Sequence, residues 1–267
     1  MEQTNQSVLL DVERINELEV ALTAYNSKRA LYQDETNLIT KKIGASTLLL
    51  DVNAPGSIYY NRIKGFGEND LDKIDEIVAL YSSEGITPCF DMTPNHISMD
   101  VAQALMARGF YCAEQLAFLE MVPDSTRCEN KDIEIVRVTE TNVEEFLTLI
   151  SLSTGREMKK ELAQKRAEYY YNPIFQNYIA YLGENAVGMG SLFINGDEGY
   201  IANDFTFPSY RGRGVQKSLL QFRTQVSKEL GLKRVVTDVE FGSISHENML
   251  KIGFELKFIN SFWMKAE

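Results

Sequence analysis

The segment Pro208–Leu220 (PSYRGRGVQKSLL) alternates arginine with glycine at a junction where an anion could be held. Before it, Tyr200–Phe207 (YIANDFTF) is apolar and aromatic enough to form a strand, and Pro208, with no N–H to donate, ends it. After it, apolar residues at Val215, Leu219, Phe222, Val226 and Leu230 predict one buried helix face. Arg211, Gly212, Arg213 and Gly214 make the turn, and Lys217 follows in the first helical turn. Two glycines let the backbone bend tightly and bring bare N–H groups up to a ligand, while the helix dipole and the cations favour negative charge. The arrangement suits the cradling of a pyrophosphate.

Two other phosphate loops do not fit. The spacing Gly-x-x-x-x-Gly-Lys-Ser/Thr is absent, and Gly212 and Gly214 are not followed by the third glycine of a dinucleotide fingerprint. What remains, Arg-x-x-Gly-x-Gln over Arg211–Gln216, resembles the coenzyme A loop of the GCN5-related N-acetyltransferases (the GNAT superfamily), whose pattern is Gln/Arg-x-x-Gly-x-Gly/Ala. Gln216 departs at the last position, so a side chain must be accommodated there. A second segment matches in the same order: a short strand, Arg234–Glu240 (RVVTDVE), then Ser243–Phe254 (SISHENMLKIGF). Here Ser245 is predicted to N-cap a short helix, Gly253 to cap its C-terminus, and Phe254 to restart a strand. Asn248 stands where the family places an Asn beside the pantetheine arm.

The resemblance covers about residues 131–267, including an opening strand (Ile133–Val138) and a helix (Val143–Leu152). It implies acetyl-CoA as donor and direct transfer of acetyl to an amine, on a small molecule or a protein, in a ternary complex. It further implies that the backbone of Phe205, Thr206 and Phe207 pairs with the pantetheine and acetyl groups at a strand edge. The diphosphate falls to Arg211, Gly212, Arg213, Gly214, Val215, Gln216 and Lys217.

An alkyl amine with a pKa near ~10.4 is only about 0.04% free base at pH 7, so making the nucleophile represents roughly 4–5 kcal/mol of barrier. A general base is therefore expected. Asp204 lies on the strand where the family often carries an acidic residue facing the acceptor; the other reading of it is a strand-end carboxylate turned to solvent. Glu240 is the second candidate, with Asp238 two residues earlier on the same strand. The family usually protonates the leaving thiolate with a Tyr five residues before the Phe of Gly-Phe, a position taken here by Met249. Water, Ser245, His246 or another Tyr would then replace it, although Ser245 reads more simply as a cap and His246 as exposed. A thiol with a pKa near ~8.5 leaves well, so the acid is the more dispensable group.

The rest of the chain must position these residues. At 267 residues it suits one large domain or two modest ones, and the predicted elements repeat. Residues 1–35 predict a helix with a stripe at Ile15, Leu18, Leu22 and Tyr25. Strands are predicted at Leu48–Val52 and Ser57–Tyr60, a helix at Leu71–Ser83 stopped by Gly85, and a strand at Ile86–Asp91. A helix at Val101–Arg108 then closes at Gly109-Phe110 before a strand at Leu116–Met121. Helix, Gly, strand, helix, Gly-Phe, strand is also the order around Gly231 and Gly253-Phe254, an internal structural duplication. The fold class is α/β (α+β), with a degenerate GNAT-like domain at 1–125, a linker over Pro123–Lys131 and a GNAT domain at 131–267. The first half also carries Asn61–Gly67 (NRIKGFG), as tandem GNAT proteins do. Glu68, Asp70 and Asp72 follow it where the second half has Arg211, Arg213 and Lys217. Those carboxylates would repel a pyrophosphate, so the first half is expected to bind no coenzyme A. It is expected instead to support the fold, cover the acceptor or form a homodimer surface.

Ser153–Tyr171 sits where such proteins form an acceptor lid, yet also reads as a solvated helix with an aromatic packing face. A net charge of −11 argues against a nucleic-acid partner and is compatible with a cationic acceptor. No run of 18 apolar residues suggests a membrane span, and Met1–Asp11 is too polar for a signal peptide. Cys89, Cys112 and Cys128 lack metal spacing and read as reduced thiols of a cytoplasmic protein; two histidines leave metal catalysis few ligands. The competing function is a non-catalytic CoA-binding module that regulates through its N-terminal half.

Overall fold

The computed structural model describes residues 5–35, 37–124 and 130–265. Up to Met121 the chain forms helix α1 (Asn5–Lys28), strands β1 (Ile39–Ile43), β2 (Ser46–Leu50) and β3 (Arg62–Lys64), helix α2 (Ile74–Ser83), strand β4 (Cys89–Met92), helix α3 (Met99–Met106) and strand β5 (Phe110–Met121). From Ile133 it forms β6 (Ile133–Arg137), α4 (Val143–Thr154), α5 (Lys160–Arg166), β7 (Phe175–Leu182), β8 (Asn185–Asn195), β9 (Glu198–Thr206), α6 (Val215–Glu229), β10 (Arg234–Glu240), α7 (Ile244–Lys251) and β11 (Glu255–Lys265). The class is mixed α/β, as the sequence predicts. Two compact units result. One is Met1–Phe118 with Val239–Phe241 and Lys257–Glu267; the other is Leu119–Asp238 with Gly242–Leu256.

In the first unit the strands lie in the order β1-β2-β3-β4-β11-β5, so the last strand of the chain completes this sheet. β2 runs antiparallel to β1 and β3, β3 and β4 are parallel, and β11 is antiparallel to β4. Ile63, Phe66, Phe90, Ile74, Ile77 and Tyr81 pack one core beneath α2 and α3. The predicted stripe of α1, Ile15, Leu18, Leu22 and Tyr25, is buried. Glu19 on the same helix is buried too, because it meets charge. Its carboxylate pairs with Arg62 Nη1 (2.6 Å) and Lys64 Nζ (2.7 Å), both of which also reach Asp91 Oδ2, at 3.2 and 2.5 Å. Asn260 on β11 donates to Asp91 Oδ1 (2.7 Å). Two cations and two anions thus neutralise one another away from water.

Two predicted features differ. Ser57–Tyr60 is not a strand: its N–H groups turn back, Ser57 to Ala54 O (2.9 Å) and Tyr60 to Ser57 O (3.2 Å). Asn61 explains this, since its side chain donates to Ala54 O and Ser57 O and accepts from Asp51 N–H, holding a turn that local strand propensity cannot overcome. The helix predicted at Leu71–Ser83 begins as a tight 3₁₀ turn over Glu68–Lys73 and becomes α-helical only at Ile74. The glycine stops behave as predicted. Gly85, Gly231 and Gly253 all have positive φ, and at each the paired N–H bonds of a Schellman cap reach back, as from Phe254 N–H to Met249 O (3.1 Å). Cys89 is buried and Cys112 exposed, both as free thiols; Cys128 and most of the predicted linker lie outside the described residues. Among the described residues no helix is long and apolar enough to cross a membrane.

In the second unit β6, β7, β8 and β9 form an antiparallel meander, and β10 pairs parallel with β9 after the α6 crossover. Gly188 and Gly190, two apart on one face of β8, admit that helix closely. A Cβ at Gly188 would fall 2.8 Å from Val215 Cγ1, and one at Gly190 2.8 Å from the Arg223 guanidinium carbon.

The buried charge cluster yields a stability prediction. Asp91→Ala leaves Arg62 and Lys64 sharing one carboxylate without water, and should lower the unfolding free energy by about 3–5 kcal/mol. Urea unfolding followed by the fluorescence of Trp263, the only tryptophan, measures it. Breaking the exposed Glu247–Lys251 pair with Lys251→Ala should change stability by no more than about 0.5 kcal/mol.

Candidate functional site

β9 and β10 begin as a parallel pair and then part. Their ladder covers Arg234↔Glu198, Val235↔Gly199 and Val236↔Tyr200 and goes no further, while β9 continues to Thr206. Beyond Tyr200 the backbone ladder to β10 ends, and Ile201 O accepts instead from Thr237 Oγ1 (3.1 Å). The register of β9 against β8 slips in this same stretch. Met189 faces Phe205 but Ser191 faces Ala202, so one extra residue is inserted on β9. Asn203 takes up the distortion at φ 55, and its side chain donates to Ser191 Oγ (3.3 Å).

The glycine loop follows directly. Gly212 (φ 75) and Gly214 (φ 81) both lie in the left-handed region, so a side chain at either would strain the turn. The first intrahelical bond of α6 is from Ser218 N–H to Gly214 O (2.9 Å), which leaves earlier N–H groups, Val215 and Gln216 among them, at the open end of the helix. Arg211 is exposed, with Nε reaching Thr206 O (3.4 Å), and the Arg213 guanidinium lies 5.5 Å from the Tyr210 ring centre. Glycine backbone, helix dipole and cations together favour negative charge at this end of the helix.

α7 forms the far wall. Its N-cap is Ser243, whose Oγ accepts from His246 N–H (3.1 Å), and not Ser245 as the sequence predicts. Ser245 Oγ is otherwise engaged, accepting from Gln216 Nε2 (2.9 Å), while Gln216 Oε1 accepts from Asn248 Nδ2 (2.8 Å). The unusual Gln216 thus ties α6 to α7. His246, expected to be exposed, is buried, with Nδ1 accepting from Gly242 N–H (3.2 Å). Met249 is buried as well and offers no proton.

These elements enclose a groove of about 660 Å³. Of the residues singled out from sequence, Asp204, Phe205, Thr206, Arg211, Gly212, Gly214, Val215, Gln216, Lys217, Ser245 and Asn248 line it. Phe207, Arg213 and Glu240 are not among its lining residues. Phe207 N–H is taken by Val187 O (3.0 Å), and Glu240 is exposed at the end of β10. Asp238 accepts from Tyr200 Oη (2.6 Å). Residues 153–171 give nothing to the lining, and within them Tyr170 is buried against Phe146. Tyr210, Ser243 and Ile244 line the groove without having been anticipated. The Tyr210 ring follows a strand-ending proline, and no helix or strand period marks it.

Asp204 stands at the groove with its side chain 16% exposed and pairs through Oδ1 with Arg223 Nη2, whose side chain is wholly buried. Burial raises the Asp204 pKa above the ordinary carboxylate value, and the opposing Arg223 charge does not cancel the rise. Arg223 escaped notice because it sits off the apolar positions used to place α6. That prediction needs correction. Phe222 and Val226 are only half-buried and Leu230 is exposed, whereas Arg223, Thr224 and Ser227 are buried. The hydroxyls satisfy themselves on their own helix, Thr224 to Leu220 O (2.9 Å) and Ser227 to Arg223 O (2.7 Å), which lets a polar face go inward.

The first unit has a smaller cleft, about 290 Å³, between the loop after β3 and the start of α3, lined by Gly65, Gly67, Glu68, Asn69, His96 and Ser98 among others. No arginine or lysine lines it. Beside it, the Asp70 carboxylate accepts from Ala45 N–H (3.0 Å), Ser46 N–H (2.8 Å) and Ser46 Oγ (2.6 Å). Burial works to raise the Asp70 pKa, but these hydrogen bonds outweigh it and hold the carboxyl below its ordinary value.

Comparison with known proteins agrees with the geometry of the second unit. The model of the acetyltransferase (GNAT) family matches residues 143–254. Among solved structures, a GCN5-related N-acetyltransferase from Kribbella flavida aligns over 92% of this chain and 95% of its own, with a TM-score of 0.66 at 12% identity. A functionally unknown conserved protein from Staphylococcus epidermidis ATCC 12228 aligns over 88% and 95%, with 0.62 at 14%. A GCN5-related N-acetyltransferase from Sphaerobacter thermophilus aligns over 83% and 80%, with 0.58 at 13%. At such identities the likeness is one of fold. No curated protein matches the sequence. Parted parallel strands, a left-handed glycine loop at a helix start and a matching family model lead to one conclusion: residues 143–254 are a domain of the acetyltransferase (GNAT) family.

Proposed function

We propose that this chain is an acetyl-CoA-dependent N-acetyltransferase acting in the cytoplasm, with an amine as acceptor and one coenzyme A bound per chain. The observation that carries the proposal is the parting of β9 from β10 beside the glycine loop, because it supplies two different kinds of contact to one extended ligand. The loop and helix N–H groups at Gly212, Gly214, Val215 and Gln216, with Arg211 and Lys217, would hold a diphosphate. The peptide of Thr206, on the side of β9 turned away from β8, would pair with a pantetheine amide, as an added strand does. The residues present fit the donor: the turn has no Cβ at Gly212 or Gly214, and the groove is lined by cations at that end.

Asp204 acts as the base. It lines the groove, is only partly exposed, and keeps Oδ2 without a protein partner among the described residues. A proton leaves the acceptor ammonium for Oδ2, the amine nitrogen bonds to the acetyl carbonyl carbon, the C–S bond breaks, and the second nitrogen proton passes through water to the departing thiolate. Water takes the acid role because Met249 is buried and without a proton to give. That same feature favours the second reading, a domain that binds coenzyme A without turnover. Release of free thiol from acetyl-CoA in the presence of an amine library separates the two.

Gly214→Asp puts a carboxylate at the diphosphate position and should abolish acetyl-CoA binding by calorimetry. The strain of an L residue at φ 81 adds only about 1–2 kcal/mol, so the fold should survive in a thermal melt. Unchanged affinity would remove the loop from the site. Wild-type titration should give one site per chain, since the cleft of the first unit is lined by Glu68 and by no arginine or lysine; two equal sites would contradict this. Asp204→Asn should lower kcat by ~10²–10⁴-fold with acetyl-CoA affinity kept. Its deficit should shrink as pH approaches the pKa of the amine, where free base is already abundant.

A further inference from the structure

We infer that Arg223 is a positioning residue for acetyl transfer, holding the β9 bulge and the Asp204 carboxylate in one rigid unit. The inference rests on the reading of Asp204 as the base. Arg223 is buried in the third turn of α6, and its Nε donates to Leu219 O (3.0 Å) on that helix, which fixes the side chain as a strut. Nη1 donates to Ser191 O (2.9 Å) on β8 and to Ala202 O (3.3 Å) on β9, and Nη2 to Asp204 Oδ1. Ala202 and Asp204 are the residues on either side of Asn203, the one residue other than glycine with positive φ among those described. A single planar group therefore grips both ends of the bulge.

The grip has chemical consequences. With Oδ1 held, the free Oδ2 is the oxygen left to meet a proton at the groove. Asp204 is the one carboxylate paired with Arg223 among the described residues, and the other charged or titratable groups lining the groove are Tyr210, Arg211 and Lys217. When Oδ2 takes the proton of the ammonium, a buried guanidinium is left beside a neutral acid. That state is unfavourable, so the proton passes on to water and the carboxylate is restored for the next turnover. Lysine would not substitute, because a point charge with tetrahedral donors cannot span Ser191 O, Ala202 O and Asp204 together. Gly190 belongs to the same device, as a Cβ there would lie 2.8 Å from both Cζ and Nη1 of Arg223.

The test reads Asp204 directly and turnover separately. In protein labelled with ¹³C at Asp carboxyls, and assigned with Asp204→Asn, the Asp204 titration midpoint should rise by roughly 1–3 pH units in Arg223→Met, because burial remains while the opposing charge is gone. Arg223→Lys should restore most of the midpoint but not kcat, which should stay ~10-fold or more below wild type because the bulge is no longer gripped. Gly190→Ala, which keeps the arginine and displaces it, should move midpoint and kcat in the same directions by less. It also serves if Arg223→Met does not fold. The acid limb of kcat/KM should follow the midpoint in each variant. An unmoved midpoint in a folded variant, or full kcat in Arg223→Lys, would overturn the inference. A midpoint that moves while wild-type protein acetylates no amine would instead overturn the base assignment and leave the grip itself established.

Discussion

The Arg223 guanidinium has no access to water, so each of its donors must find an acceptor inside the protein, and those it finds shape β9. Leu219 O belongs to its own helix, Ser191 O to β8, and Ala202 O and Asp204 to the two sides of the bulge. Leaving any of them unmade would strand a buried polar group at about 1–3 kcal/mol or more, so helix, bulge and carboxylate are fixed together. The glycines of β8 follow from the same need, since the helix must come close enough for the guanidinium to cross the strand. The bulge in turn sits in the stretch of β9 that has left β10, and that stretch is the wall of the groove.

The two units resolve one geometric situation in opposite ways. Each has a parallel strand pair, a glycine-bearing turn after the first strand, and a helix on the far side. In the second unit the turn is left open, with two left-handed glycines and cations around exposed N–H groups. In the first, Asp70 folds back onto the turn between β1 and β2 and satisfies the N–H groups of Ala45 and Ser46 itself. Gly44 is required there, because a Cβ would fall 1.9 Å from Asp70 Oδ1.

Gln216 shows how a departure from a family pattern can be absorbed. A side chain at that place must go somewhere, and it goes sideways into hydrogen bonds with Ser245 and Asn248, leaving its backbone N–H at the helix end. One consequence is that one of the two Asn248 amide N–H donors is already used within the protein, which leaves the second N–H and the oxygen toward the groove.

The anion loop, α6, β10 and the capped turns around Gly85, Gly231 and Gly253 were legible in the sequence because their signals are local. A glycine at positive φ, a proline that ends a strand and a periodic apolar face all act within a few residues. The lining of the groove from Asp204 to Lys217 was legible for the same reason, as was Asn248 through its spacing in a family motif. Tertiary structure alone decided the remainder. Ser57–Tyr60 turns because Asn61 binds two carbonyls across it, and Ser243 caps α7 because Ser245 is claimed by Gln216 from another helix. Arg223 lies inward in line with the buried Val215 and Leu219, since its acceptors come from β8 and β9, more than 20 residues away on the β8 side. Such assignments depend on which distant group reaches a buried donor first, and no spacing along the chain encodes that.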